Sequence, residues 1–294
     1  MLDRWSLDIQ ILYYFDAEVR IALSLSDQLR IRRVKKSEKE CCGELSDKDH
    51  GLGWGLDDPL SFVLECVSPT SHQSEETMKK LAISLLMFKH DTSLDNKLPW
   101  FRLRWGGSSP SQSDQLPPLR DEELDHEPMS FPGYRVGLLD IDPFQTFWTT
   151  CNQASWHRSL LVAGNRLLQV HAHEGDVALE DRLIDLMIAC EALVLDGEKE
   201  KGKNIAHRIG KLQKQQMPHL EKRAVEELEL AYRLRNDIVH DGEFSSKNLA
   251  QVPFLERFVM SVERYLRIGM INYIDLMNQG KSKKQITQYL DGLP

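Results

Sequence analysis

What this sequence is short of narrows it first. It has five cysteines in 294 residues, Cys41, Cys42, Cys66, Cys151 and Cys190, and none are in C-x-x-C spacing. An odd, patternless set argues against a disulfide framework and against a zinc site, and it fits reduced thiols in a cytoplasm. No run of eighteen apolar residues occurs, so no membrane span is expected. The start, "MLDRWSLDIQ", lacks a basic region followed by an apolar core, so no secretory signal is expected either. Positive charge is outnumbered: 37 Lys and Arg face 45 Asp and Glu, a net charge of −8. That argues against non-specific nucleic-acid binding over the whole surface, though not against a local basic patch. No repeat period is visible, and no residue spacing calls for a metal or any other cofactor.

What is present is the composition of a soluble globular protein, 41% hydrophobic and 28% charged. The length suits one large or two ordinary domains. The first part favours strands. "LDIQILYYF", "EVRIALSLS", "QLRIRRVKK", "LSFVLECVS" and "PWFRLRWGG" are short and rich in β-branched or aromatic residues. One helix is expected among them, residues 74–90, with Ser74 and Glu76 at its start. Residues 106–133 are dominated by Ser, Pro, Gly and acids and read as a mobile loop.

After "YRVGLLDID" the pattern turns helical. Helices are expected near 143–172, 176–196, 203–214, 219–241, 248–278 and 282–290, the first opened by Pro143. The expected fold class is α+β: a β-rich N-terminal α/β domain over 1–140, then an all-α helical bundle over 141–294.

The helix at 219–241 carries polar residues where packing alone does not require them. Val225, Leu228, Tyr232 and Val239 share one stripe, and Arg235 falls within it. A charge on a core-facing stripe is costly unless paired. Asn236 and His240 are four apart and lie one above the other on an adjoining face. Asp241-Gly242 is expected to close the helix, with glycine as C-cap. On the preceding helix, Glu191 follows Ile184 and Ile188 at core-facing spacing. A Glu191–Arg235 contact is therefore expected, orienting the guanidinium and offsetting its desolvation. A purely structural reading has the two as an ion pair and His240 as a helix-end cation favoured by the macrodipole.

Residues 197–223 hold eight Lys and Arg against three Glu. They form either a solvated lysine-rich surface or a local basic patch. "HAHE", residues 171–174, invites a metal assignment, but His171 and His173 are two apart on a helix end and diverge.

"RNDIVH", residues 235–240, resembles the R-x4-6-H motif of the HEPN superfamily in its R-N-x-x-x-H form. "LEDRLIDLMIACEALVL", "IAHRIGKL" and "YRLRNDIVHDGEF", in that order, look like the Apea-like HEPN branch, a resemblance covering roughly residues 143–280. It implies an antiparallel helical bundle that dimerises through the motif helices, and metal-independent endoribonuclease activity. Carried over by position, Arg235 and His240 are the catalytic pair and Asn236 the polar residue beside the arginine. Glu191 matches a supporting glutamate of the branch. His207, Arg208 and Lys211 are the candidates for bordering an RNA cleft.

The residue types suit that chemistry. RNA is cleaved when its own 2′-hydroxyl attacks the adjacent phosphate, leaving a 2′,3′-cyclic phosphate and a 5′-hydroxyl. The reaction needs proton transfer, charge stabilisation and positioning. Histidine titrates near neutrality, arginine presents a fixed fork to phosphate oxygens, and asparagine can hold the phosphate or fix the imidazole tautomer. Arg235 and His240 are five apart, about 140° around one helix. A two-fold dimer would join two such sets in one cleft.

Two functions are expected from these observations. One is a homodimeric RNase effector in the cytoplasm, a toxin or anti-phage defence protein whose N-terminal domain senses a trigger or restrains the nuclease. The other is a non-catalytic HEPN module that holds RNA, a nucleotide or a partner protein of a defence system.

Overall fold

The computed structural model describes residues 6–12, 15–17, 22–26, 29–33, 62–68, 71–88, 101–104, 134–136, 138–172 and 179–293. The expected loop over 106–133, Cys41, Cys42 and His173 lie outside them. By contacts the chain divides into two units. One comprises Met1–Leu81 and Asp95–Trp148, the other Ala82–Leu94 and Thr149–Pro294.

In the first unit, strands β1 (Ser6–Leu12), β3 (Ala22–Ser26), β4 (Leu29–Arg33), β5 (Phe62–Ser68) and β6 (Phe101–Arg104) form an antiparallel sheet in the order β3-β4-β5-β1-β6. Its register sets Leu29 against Cys66 and Ile31 against Leu64. Leu29 and Ile31 are buried while Arg30 between them is exposed, the period-two alternation of a strand with one face on a core. The short β2 (Phe15–Ala17) and β7 (Tyr134–Val136) pair in parallel separately.

Helix α1 (Ser71–Phe88) begins three residues before Ser74. Residues 82–88 of α1 belong to the second unit, where Ile83 packs on Gly164. The expected helix over 143–172 is two helices, α2 (Leu138–Gln153) and α3 (Arg158–Ala172). Trp156 is the reason for the break: it is buried, and its indole Nε1 donates to Cys151 O at 2.7 Å, taking a carbonyl a continuing helix would use. Pro143 does not open α2 but sits inside it, where its missing N–H leaves the Leu139 carbonyl without a helical donor.

The second unit continues with α4 (Leu179–Val194), α5 (Lys201–Gln216), a single 3-10 turn (Pro218–Leu220), α6 (Glu221–Asp241), α7 (Ser246–Leu249), α8 (Leu255–Asn278) and α9 (Lys283–Asp291). The expected helix over 248–278 is likewise divided, because Pro253 has no N–H to extend it. α8 is the central rod, with Val259, Val262, Leu266, Ile268, Tyr273 and Ile274 buried. Each such apolar side chain contributes about 1.5–3 kcal/mol.

Close approach of α5 to α6 fixes the helix that carries the candidate site. A Cβ at Gly210 would meet Val225 Cγ2 at 2.5 Å, and one at Gly202 would enter the Tyr232 ring. Only glycine at these two positions, eight residues apart along α5, lets the helices lie this near. No helix among the described residues is long and apolar enough to cross a membrane.

Candidate functional site

Helix α6 starts after Pro218 of the 3-10 turn, with Glu221 in its first turn suiting the positive end of the dipole. It ends where Gly242 takes φ 81° and returns its N–H to Ile238 O, as the sequence leads one to expect. Ala224, Leu228, Ala231 and Leu234 are buried. Arg235 continues the same face by helical angle, yet it is only half-buried. From Arg235 onward the core runs out: Val239 is 49% exposed, and His240 is exposed. So the arginine does not sit in the core. It sits where a core-facing stripe comes to the surface.

That placement removes the need for a buried carboxylate, and Glu191 does not supply one. The Glu191 carboxylate pairs with Lys201 at the start of α5 instead. Arg235 Nη1 donates to Asn236 Oδ1 at 3.1 Å. The expected Glu191–Arg235 contact is thus replaced by two separate pairs. They remain neighbours: Glu191 raises the Lys201 ammonium pKa, first through its hydrogen bond, and Arg235 opposes that rise slightly. Lys201 is therefore a second cation near the motif, which the apolar periodicity of α4 and α6 could not reveal.

His240 forms no hydrogen bond or ion pair with a described residue, so its ring is open to solvent. One turn of helix separates it from half-buried Asn236 on the same face. Between them lies Asp237. Its Oδ2 accepts from Ser245 N at 3.1 Å, Ser245 Oγ at 2.7 Å and Asn248 Nδ2 at 2.7 Å. The Ser245 hydroxyl and then the Asn248 amide hold the Asp237 carboxyl below its ordinary pKa. Asp237 thus pins the following turn and α7 against the motif. Sequence reading assigned it nothing. The signal available was the run "SSKN" just past the glycine cap, rich in short donors.

Two cations of the basic stretch, Arg208 and Lys211, are taken up internally, while Lys199, Lys201, Lys203, Lys214, Lys222 and Arg223 are exposed. Arg208 is 4% exposed and donates to Asp291 at 2.8 and 2.9 Å, to Glu198 at 2.8 Å and to Val194 O at 2.8 Å. Lys211 is 7% exposed and pairs with Glu221 at 2.7 Å. His207 is half-buried on the same helix. Burial and pairing commit Arg208 and Lys211 to holding α4, α5, α6 and α9 together, so these two do not offer a phosphate-binding surface.

A second polar cluster surrounds His171, the first histidine of "HAHE". Its Nε2 lies 2.7 Å from Glu263 Oε1 and 2.8 Å from Arg267 Nη2. Arg267 also binds Glu263 directly and donates to Leu86 O at 2.9 Å, and Arg182 stands 3.7 Å from the other Glu263 oxygen. Burial pushes the Glu263 carboxyl up, but Arg267, His171 and Arg182 outweigh it and hold it well below the carboxylate range. Burial lowers the His171 pKa, partly offset by Glu263. Among the described residues no group of three or more His, Cys, Asp or Glu could hold a metal ion.

The two clusters differ in what they can do. The one at the end of α6 offers a guanidinium, an amide and an imidazole to solvent, a set able to bind a phosphate and move a proton. The one around His171 is closed on itself. In comparisons with known proteins, no family model, curated protein or solved structure matched the chain.

Proposed function

We propose that the chain is a metal-independent endoribonuclease of the HEPN type, active as a homodimer, with Arg235, Asn236 and His240 as its catalytic set. The reading is carried by one observation: Arg235 and Asn236 are bonded to each other and only half-buried on the turn before an open His240. The set is not consumed by folding, unlike Arg208 and Lys211 on the neighbouring helix. In this mechanism His240 transfers the proton between the 2′-hydroxyl and the leaving 5′-oxygen, acting alone or with its symmetry mate. Arg235 neutralises charge on the pentavalent phosphate, and Asn236 holds the guanidinium in place. Lys201, drawn near by Glu191, adds positive potential beside it.

The five-residue separation of Arg235 and His240 supports a cleft built by two copies of α6. The biological role that suits such an activity is a cytoplasmic toxin or anti-phage effector, with the N-terminal unit sensing a trigger or a partner protein. The test is cleavage of a labelled RNA in EDTA by wild type, His240→Ala and Arg235→Ala. The proposal expects 2′,3′-cyclic phosphate ends from wild type alone. Equal cleavage by all three proteins would refute it.

A second reading, a non-catalytic HEPN module holding RNA, a nucleotide or a partner, is favoured by the net charge of −8 and by the internal pairing of Arg208 and Lys211. It predicts binding without cleavage in the same assay.

A further inference from the structure

The outer face of α6 carries a cation to which no role has been given. Arg233 precedes Asn236 by three residues and His240 by seven. At 3.6 residues per turn the three lie within an arc of about 60°, and Arg233 and His240 are only about 20° apart. Arg235 stands about 140° from His240 on the same helix. Arg233 and His240 are both exposed, and Asn236 between them is half-buried. The arginine that shares the face of the imidazole is therefore Arg233, about 10 Å before it along the axis.

Arg233 is also left unpaired, and the cause is local. On a helix an arginine ordinarily meets an acid four residues away. Earlier on α6 that rule operates: Lys222 stands 3.8 Å from Glu226, and Arg223 Nε donates to Glu227 at 2.7 Å. Four residues after Arg233 comes Asp237, whose Oδ2 accepts instead from Ser245 N, Ser245 Oγ and Asn248 Nδ2. The Asp237 carboxyl is held low by Ser245 first, then by Asn248, and by Arg233 last. Arg233 forms no hydrogen bond or ion pair with a described residue, so its five N–H donors remain for a ligand. Asn236 is open in the same direction. Its Oδ1 accepts from Arg235, which leaves its amide N–H groups free.

We infer that Arg233 binds the RNA backbone beside the scissile phosphate, so that the strand runs along the outer face of α6 from Arg233 to His240. This role rests on the ribonuclease reading of the same helix and extends it. Arg235 neutralises the reacting phosphate, whereas Arg233 holds a neighbouring one. A guanidinium fork suits phosphate oxygens, and such a contact sets the register of the strand without reading its bases.

The test has two readouts. The first is equilibrium binding of a labelled single-stranded RNA to the His240→Ala chain, which leaves the RNA intact, over a series of salt concentrations. Adding Arg233→Gln should weaken binding about fivefold and flatten the slope of log affinity against log salt by about 0.7, the release of one counterion from a single strand. The second is cleavage by the chain with His240 in place. Arg233→Gln should raise KM about fivefold while kcat stays within about twofold, and Arg233→Lys, which keeps the charge, should recover most of the loss. Arg233 is exposed, so both variants should melt like wild type. Lys284→Gln removes an exposed cation of α9 and should change neither readout. The assignment is overturned by an unchanged salt slope in Arg233→Gln, by an equal flattening in Lys284→Gln, or by a fall in kcat as large as that of His240→Ala. Binding of RNA without cleavage by wild type would refute the ribonuclease reading alone, and the salt slope would still decide whether Arg233 holds the strand. No binding of RNA by any of these proteins would refute both.

Discussion

The second unit contains two clusters that each hold an arginine and a histidine, and they have opposite fates. Around Glu263, an arginine, a histidine and a carboxylate are all nearly buried and bonded to one another. At the end of α6, an arginine, an asparagine and a histidine lie along a surface where the core has run out. An arginine and a histidine are common to both. What separates them is burial: the first is shut inside the bundle, with even Arg182 Nε and Arg267 Nε buried without a partner, and the second reaches solvent. A closed cluster stabilises and is chemically inert, whereas an open one has donors and acceptors left for a ligand. His171 can donate to Glu263 or accept from Arg267 through Nε2, but either way its reach ends inside the bundle.

The sharpest way to break this contrast is to exchange the effects of the two histidines. His240→Ala should lower RNA cleavage by about 10²–10⁴-fold, the range for loss of a general acid or base. Its thermal midpoint should stay at the wild-type value, because the side chain is exposed and makes no bond to a described residue. A large fall in the midpoint would place His240 with the structural residues and end the distinction.

The next effect is on stability. Glu263→Gln keeps the shape but leaves Arg267 as a buried charge without its anion. The loss should be about 3–5 kcal/mol, typical of breaking one side of a buried pair, and urea denaturation measures it. If stability is unchanged, Glu263 is not the keystone its burial implies.

The same cluster should govern the acid limb of stability. Both groups are depressed in the fold: Glu263 because its cations outweigh burial, His171 because burial disfavours its charged form. Each therefore binds fewer protons folded than unfolded. Their stabilisation is intact above the unfolded histidine pKa of about 6.5 and falls as pH drops, first through His171 and then, below about pH 4.3, through Glu263. Urea midpoints measured from pH 7.5 down to pH 4 should decline steadily. A midpoint that rises on acidification would mean that His171 is charged in the fold.

How far these differences could be read in advance depended on the range of the interaction. The helix over α6 and its end at Gly242 were legible, because a 3.6-residue apolar period and a glycine cap are local signals. The partner of Glu191 was not. Lys201 and Arg235 are both cations on the helices that follow, and periodicity carries no information about which one turns toward the carboxylate. The burial of Arg208 was hidden for a related reason: Asp291, its principal partner, is 83 residues away. The break at 154–157 depended on one indole reaching one carbonyl, which no helix propensity encodes. Arg235 was placed on the right face, but the point where that face leaves the core is set by the packing of other helices, not by α6 itself.

Asp237 offers the finest test, since it lies inside the open motif yet is itself internally satisfied. Its one oxygen gathers three donors from Ser245 and Asn248, so it belongs by bonding to the structural kind and by position to the candidate site. Asp237→Ala should cost only about 1–2 kcal/mol in global stability, because the turn it holds is near the surface. Its local effect should be clearer, as faster amide hydrogen exchange over residues 242–252 with the rest of the unit protected as before. Cleavage should fall less than for His240→Ala, through misplacement of the imidazole rather than loss of a reacting group. Asp237→Asn, which keeps an acceptor oxygen at the same place, should recover most of both. If Asp237→Ala instead matches His240→Ala in activity while exchange is unaltered, the aspartate acts in the chemistry itself, and the line between open and closed groups runs through the motif differently than its hydrogen bonds indicate.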